Sequence, residues 1–126
     1  MALTPKDARL AVCDLETIGR VSGRPRVVEI WFAADPERDR IYMLSGGRDA
    51  AHWVRNIRAR REVRVRLGER WLDGIASEIE GGPDETLARR LLGAKYQGWT
   101  EGRPLSGWAR RSLALAIDLR DGRRGG

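Results

Sequence analysis

The strongest constraint on this chain is a series of short stretches that alternate apolar and polar residues, joined by turns too short to hold a crossover helix. Residues 62–67 alternate strictly, with Val63, Val65 and Leu67 on one side and Arg64 and Arg66 on the other. A turn at Gly68 and Glu69 leads to a second stretch over 70–79, where Trp71, Ile75 and Ile79 are expected to share a face. That pair reads as a hairpin. Residues 26–34 repeat the pattern, with Val28, Ile30 and Phe32 opposite Glu29, and stop at the polar turn of 35–39. The pattern resumes over 41–45, so these two stretches read as another hairpin. Leu113, Leu115, Ile117 and Leu119 mark a last strand, and residues 9–17 a first, preceded by one helical turn from Pro5.

Two segments carry helical spacing instead. In 50–59, Trp53 and Ile57 stand four apart with Val54 beside them, and Asp49 is placed to cap the amino end. In 84–96, Leu87, Ala88, Leu91 and Leu92 form an apolar stripe, with Asp84 as the expected cap. Residues 97–110, with three Gly, one Pro and two Trp, read as a loop. The expected fold class is therefore α+β: a small barrel of about six mostly antiparallel strands, with helices inserted after the third and the fifth. A doubly wound parallel sheet is excluded because the strand–helix–strand alternation is missing. The 126 residues suit one domain over 1–126.

The chemistry is bounded by scarcity. A single cysteine, Cys13, excludes an internal disulfide and a cysteine-cluster metal site, and reads as a small buried hydrophobe. A single histidine, His52, excludes a histidine-rich metal centre and argues against a Ser-His-Asp triad. An enzyme built on this sequence would take its reactive atom from a cofactor. No apolar run approaches the roughly 18 residues of a membrane span, and residues 1–10 lack a signal-peptide core. A soluble, cytoplasmic protein is the expectation.

The net charge is +6, and 22 of the 24 basic residues are Arg. Arg55, Arg58, Arg60, Arg61, Arg64, Arg66 and Arg70 cluster in one stretch, and Arg20, Arg24 and Arg26 in another. Guanidinium groups favour phosphates and carboxylates through paired hydrogen bonds, so a polyanionic partner fits, nucleic acid among the choices. Glu62, Glu69 and Asp73 offer the other reading of the longer cluster, a solvated charged face.

Three stretches are placed to bind a ligand. The first, T-I-G-R-V-S-G-R-P-R at 17–26, joins two predicted strands. Its glycines Gly19 and Gly23 let backbone amides approach an anion, while Arg20, Ser22, Arg24 and Arg26 add donors. An ordinary hairpin turn is the competing reading. The second, Ser45, Gly46, Gly47 and Arg48, ends a strand shortly before a helix and can aim backbone donors at a ring or phosphate. In the third, Trp53 serves either as a cleft wall or as core, and Asn56 either bonds a ligand or anchors a neighbouring loop. Tyr96, Trp99 and Trp108 surround the late loop, lining a substrate entrance or filling gaps over the barrel.

In this order and spacing the stretches resemble the deazaflavin-dependent nitroreductase family, within the wider flavin and deazaflavin oxidoreductase superfamily. Its members look like T-x-G-R-x-S/T-G-x-P-R, then two hydrophobic strands, S-x-G-G, and a helix bearing W-Y/H-x-N. Here the match is Thr17, Gly19, Arg20, Ser22, Gly23, Pro25 and Arg26, followed by Ser45, Gly46, Gly47, Trp53 and Asn56. The resemblance implies the split β-barrel of pyridoxamine-phosphate oxidases and a site for reduced coenzyme F-420, a deazaflavin with a phosphodiester and a polyglutamate tail. FMN, bound by relatives on the same barrel, is the alternative cofactor.

Carried over residue by residue, Arg20, Ser22, Gly23, Arg24 and Arg26 would hold the phosphate and tail. Ser45, Gly46 and Gly47 would contact the deazaflavin, and Trp53 and Asn56 would shape the cleft. The implied activity is hydride transfer to a flat, electron-poor acceptor such as a quinone or nitroaromatic, in a homodimer. No catalytic side chain is assigned; Tyr96 and His52 are the candidates for a proton donor. A non-catalytic flavin carrier and a basic nucleic-acid-binding barrel are the rival readings.

Overall fold

The computed structural model describes residues 3–120. One sheet of seven antiparallel strands runs in the order β2-β1-β5-β6-β7-β4-β3. The strands are β1 (Cys13–Ile18), β2 (Pro25–Ile30), β3 (Ala33–Asp35), β4 (Arg40–Ser45), β5 (Glu62–Leu67), β6 (Arg70–Glu78) and β7 (Leu113–Leu119). Helices α1 (Pro5–Ala8), α2 (His52–Ala59), α3 (Gly82–Gln97) and α4 (Gly107–Arg111) complete the fold, with a single 3-10 turn before α2. The α+β class holds, with seven strands rather than six. Three of the four described helices are expected, α1 as the helical turn from Pro5, and α4 lies in what reads from sequence as a loop.

The extra strand comes from a break. The predicted strand over 26–34 splits at Trp31 and Phe32 into β2, which pairs with β1, and β3, which pairs with β4. The expected hairpin therefore survives only in its short half, Ala33 to Asp35 against Arg40 to Tyr42. This break shapes the whole sheet. β2 and β3 are its two edges, yet only two residues separate them, and an extended chain advances no more than about 3.5 Å per residue. The sheet must curl until its edges meet, closing covalently where no ladder closes it.

Helix α3 seals this seam. Tyr96 Oη accepts from the Phe32 amide at 3.1 Å and lies 3.0 Å from the Phe32 carbonyl and 2.8 Å from that of Ala11. Lys95 Nζ donates to the carbonyls of Ala8 (3.1 Å) and Phe32 (3.0 Å), 3.9 Å from the Phe32 ring centre.

Inside the curl, Leu15, Phe32, Ile41, Met43, Val54, Val63, Val65, Leu67, Leu115 and Ile117 form the principal core. A second cluster, with Tyr42, Leu92, Ala114 and Ala116, lies beneath α3. On β6 the inward face is Leu72, Gly74 and Ala76, not Trp71 and Ile75 as the pattern suggests. The interior there has no room: a Cβ on Gly74 would lie 2.6 Å from Ile117 Cγ2. Trp71 instead faces outward beneath the guanidinium groups of Arg64 and Arg66, at 4.7 and 5.4 Å.

The caps also differ from expectation. Ala51, without a side-chain bond, occupies the N-cap of α2, and Gly81 that of α3. Asp49 accepts at its carbonyl from Arg55 Nε. Asp84 stands in the first turn of α3 and pairs with Arg38 and Arg40, both at 3.0 Å, which holds its carboxyl below the usual range.

Candidate functional site

The β1–β2 connection packs against α2, and between them lies a cavity of about 670 Å³, within the range that holds small-molecule ligands. Thr17, Gly19, Arg20, Val21, Ser22 and Pro25 to Val28 form one wall, and His52, Trp53 and Asn56 the other. The first and third predicted stretches thus converge.

The connection is a tight loop held by its own backbone. Gly19 N–H donates to the Arg24 carbonyl and Gly23 N–H to the Gly19 carbonyl, each at 2.8 Å. Gly23 has φ +72°, a conformation that side chains disfavour. Ser22 Oγ accepts from the Arg24 amide at 3.1 Å, and a Cβ on Gly19 would lie 2.7 Å from that oxygen. Gly19 and Ser22 thus keep the loop compact.

Helix α2 holds the loop through a polar clamp. Asn56 is 4% exposed and Thr17 1%. Asn56 Nδ2 donates to Thr17 Oγ1 at 3.1 Å, while its Oδ1 accepts from the Arg20 amide (3.1 Å) and from Arg20 Nη1 (2.9 Å). Arg20 Nη2 stands 3.2 Å from His52 Nδ1. Of the two sequence readings of Asn56, loop anchor or ligand contact, the loop anchor is the one its bonds describe.

The two arginine clusters separate electrostatically. Arg58 pairs with Glu78, Arg60 with Glu62, Arg64 with Glu16, Arg66 with Asp14 and Arg70 with Asp7. Arg55 and Arg61 donate to the carbonyls of Asp49 and Ala76. The longer cluster is thus largely neutralised, by carboxylates from α1, β1, β5 and β6. Among the described residues, no carboxylate stands within ion-pair distance of Arg20, Arg24 or Arg26. Arg20 and Arg26 line the cavity, while Arg24 does not; the apolar part of its lining includes Val21 (94% exposed), Val27 (52% exposed) and the half-buried Trp53.

Ser45, Gly46 and Gly47 do not line this cavity. Ser45 is buried, its hydroxyl donating to the Arg48 carbonyl at 3.0 Å. Gly46 borders a second hollow of about 370 Å³ with Gly107, Trp108, Arg111 and Ser112. Gly47 packs against Ala51, next to His52.

Near that hollow Trp31 stacks on Tyr96 (ring centres 4.4 Å, planes 1° apart) and meets Trp108 edge-on at 5.4 Å. Trp31 and Val27 are residues the pattern passes over. Their signal is that the outward face of the 26–34 stretch is not wholly polar. Cys13 is buried as expected, and burial pushes its thiol up to about 12, which removes it as a nucleophile. Tyr96 is committed to the seam, and burial raises its hydroxyl above the usual range.

Solved structures with this curled sheet place the fold among the split-barrel proteins. They include a candidate pyridoxamine 5'-phosphate oxidase from Listeria innocua (17% identical, covering 91% of this chain and 88% of that one, TM-score 0.65). HutZ, the haem storage protein from Vibrio cholerae, is 17% identical over 97% and 93% of the two chains, with a TM-score of 0.71. The F420-H2 dependent reductase FDR-A is 23% identical over 85% and 93%, with a TM-score of 0.63. No protein of curated function matches the sequence.

Residues 7–105 match the F420H(2)-dependent quinone reductase family, and the chain belongs to that family. It is an oxidoreductase whose cofactor is coenzyme F-420, as the opening motifs imply.

The cavity suits that group. Three guanidiniums without carboxylate partners, Arg20 and Arg24 in the loop and Arg26 at the start of β2, match a phosphodiester with an acidic tail, and the apolar part of the wall matches a planar ring. No described helix is long and apolar enough to cross a membrane.

Proposed function

We propose that the cavity between the β1–β2 loop and α2 holds reduced coenzyme F-420, and that the protein directs its hydride to a flat, electron-poor acceptor such as a quinone or nitroaromatic. The observation that carries this reading is the contrast between the two arginine clusters: one paired with carboxylates, the other without a carboxylate partner among the described residues and with Arg20 and Arg26 lining the cavity.

In this reading Arg20, Arg24 and Arg26 hold the phosphodiester and tail, and Ser22, Gly19 and Gly23 keep the loop in shape to do so. Trp53, Val27 and Val28 wall the ring. The acceptor would lie against the open face of that ring, in contact with it, so that the hydride passes directly. When bound, the reduced deazaflavin supplies the hydride. The residues around it supply orientation and exclude water, and no cysteine or carboxylate lines the cavity to form a covalent intermediate. The exposed edge of β2, with Val27 on it, suits pairing with a second copy of the chain.

The test is a paired titration of the apoprotein with coenzyme F-420 and with FMN, followed by tryptophan fluorescence. Micromolar or tighter deazaflavin binding with FMN clearly weaker supports the reading. Preference for FMN would move the protein to the flavin-binding relatives, and binding of neither would remove the cofactor assignment from this cavity.

A further inference from the structure

We propose that Asn56 and His52 are positioning residues: they hold the Arg20 guanidinium where it meets an anion, without touching that anion themselves. This rests on the anion site assigned above. Asn56 Oδ1 already accepts two donors from Arg20, and Nδ2 faces the buried Thr17 hydroxyl, so its polar atoms point into the protein. Because a guanidinium only donates, two contacts from Arg20 fix the carboxamide's orientation with oxygen toward the loop. By the same argument His52 Nδ1, 3.2 Å from Arg20 Nη2, is the acceptor and Nε2 carries the ring proton. The His52 carbonyl takes a further, longer contact from Arg20 Nη1 at 3.5 Å.

Arg20 is therefore tied to one helix at its amide and at both terminal nitrogens. Two of its five N–H donors, one on Nη2 and Nε, stay available. Arg24 and Arg26 have no comparable side-chain ties among the described residues. A guanidinium held in place before the ligand arrives loses less freedom on binding than one that must be immobilised. His52 thus adds to affinity through the Arg20 guanidinium alone, and Asn56 through that guanidinium and through the backbone at Arg20.

The experiment is a double-mutant cycle on the full chain, with coenzyme F-420 and, separately, inorganic pyrophosphate as probes. Asn56→Ala is expected to weaken binding about 10-fold and His52→Ala about 3-fold. In an Arg20→Met background His52→Ala should not weaken it further by more than about 2-fold, and Asn56→Ala should cost less than in the wild type, the remainder being its bond to the backbone amide of the loop. His52→Gln, whose carbonyl can take the place of Nδ1, should return affinity to within about 2-fold of wild type. Exchange of the Arg20 amide should quicken in Asn56→Ala and not in His52→Ala.

Losses that multiply in the double mutants would show that Asn56 and His52 meet the ligand directly, and would overturn the proposal. So would the absence of binding to either probe in the wild-type protein. Binding and coupling seen with pyrophosphate alone would leave the positioning role standing and remove the deazaflavin from the cavity. His52 is exposed, so its arm of the cycle stands even if Asn56→Ala unfolds.

Discussion

Arg66 on β5 sets two donors, at 2.9 and 2.6 Å, on one carboxylate oxygen of Asp14 on β1. The two residues are register partners, and two pairs along, past Leu15 and Val65, Arg64 faces Glu16 at 3.5 Å. The alternating arginines of β5 meet alternating acids on β1, so a stretch that reads as a polyanion-binding face is answered from the neighbouring strand.

The first prediction follows. Arg64→Ala and Arg66→Ala are expected to leave the dissociation constant for coenzyme F-420 within about 2-fold of wild type, because exposed pairs contribute little and stand outside the cavity. Arg24→Ala and Arg26→Ala are each expected to weaken it about 5- to 10-fold, the loss shrinking as salt is raised. Fluorescence titrations at two salt concentrations measure both. Equal effects from the two clusters would contradict the division drawn between them.

The loop geometry gives a second, independent expectation. Gly23→Ala forces a side chain into φ +72° and should cost about 1 kcal/mol of stability. Gly19→Ala brings a methyl within 2.7 Å of Ser22 Oγ, so it should cost less in a Ser22→Ala background, where that oxygen is gone. Urea unfolding of the wild-type protein and the four variants decides this. Additive costs for Gly19→Ala and Ser22→Ala would mean that the loop has another arrangement in solution.

How far the sequence reaches depends on how local the deciding contact is. The β5–β6 hairpin, helix α2 and the loop between β1 and β2 are legible because periodicity and turn residues lie within a few positions of one another. The inward face of β6 is not, because it is chosen by Ile117 pressing on Gly74, and small residues give no periodic signal. The split at Trp31 and Phe32 is hidden for the same reason: the hydroxyl that takes over the Phe32 amide belongs to Tyr96, 64 residues on. At the site, Arg24 and Arg26 are legible by type, but the freedom that distinguishes them from Arg64 and Arg66 is set by acids on another strand. Asn56 is legible as polar and helical; that it serves Arg20 requires the fold.

The seam offers a third prediction. Tyr96→Phe removes the acceptor for the Phe32 amide and the donor to the Ala11 carbonyl. Its cost should be about 1–2 kcal/mol, seen as a lower urea midpoint with an unchanged slope. An unchanged midpoint would show that the edges of the sheet are held without α3.

A fourth concerns alkaline pH. Burial raises the Cys13 thiol from 9.0 to about 12 in the folded protein, so between those values the folded state keeps a proton that the unfolded state releases. The stabilising contribution is complete below the unfolded value and is lost as pH climbs toward the folded one. Relative to Cys13→Ala, the wild-type protein should therefore lose stability between about pH 9 and about pH 12, and native Cys13 should resist alkylation at neutral pH. Parallel stability curves for the two proteins would contradict this.

The most direct test of the central claim is hydrogen–deuterium exchange of the protein with and without coenzyme F-420. Protection is expected over 17–28 and 52–56, the two segments that supply the cavity's lining, with little change over 62–73. Protection confined to the β5–β6 face, or no ligand-dependent change in the loop that carries Arg20, Arg24 and Arg26, would contradict it.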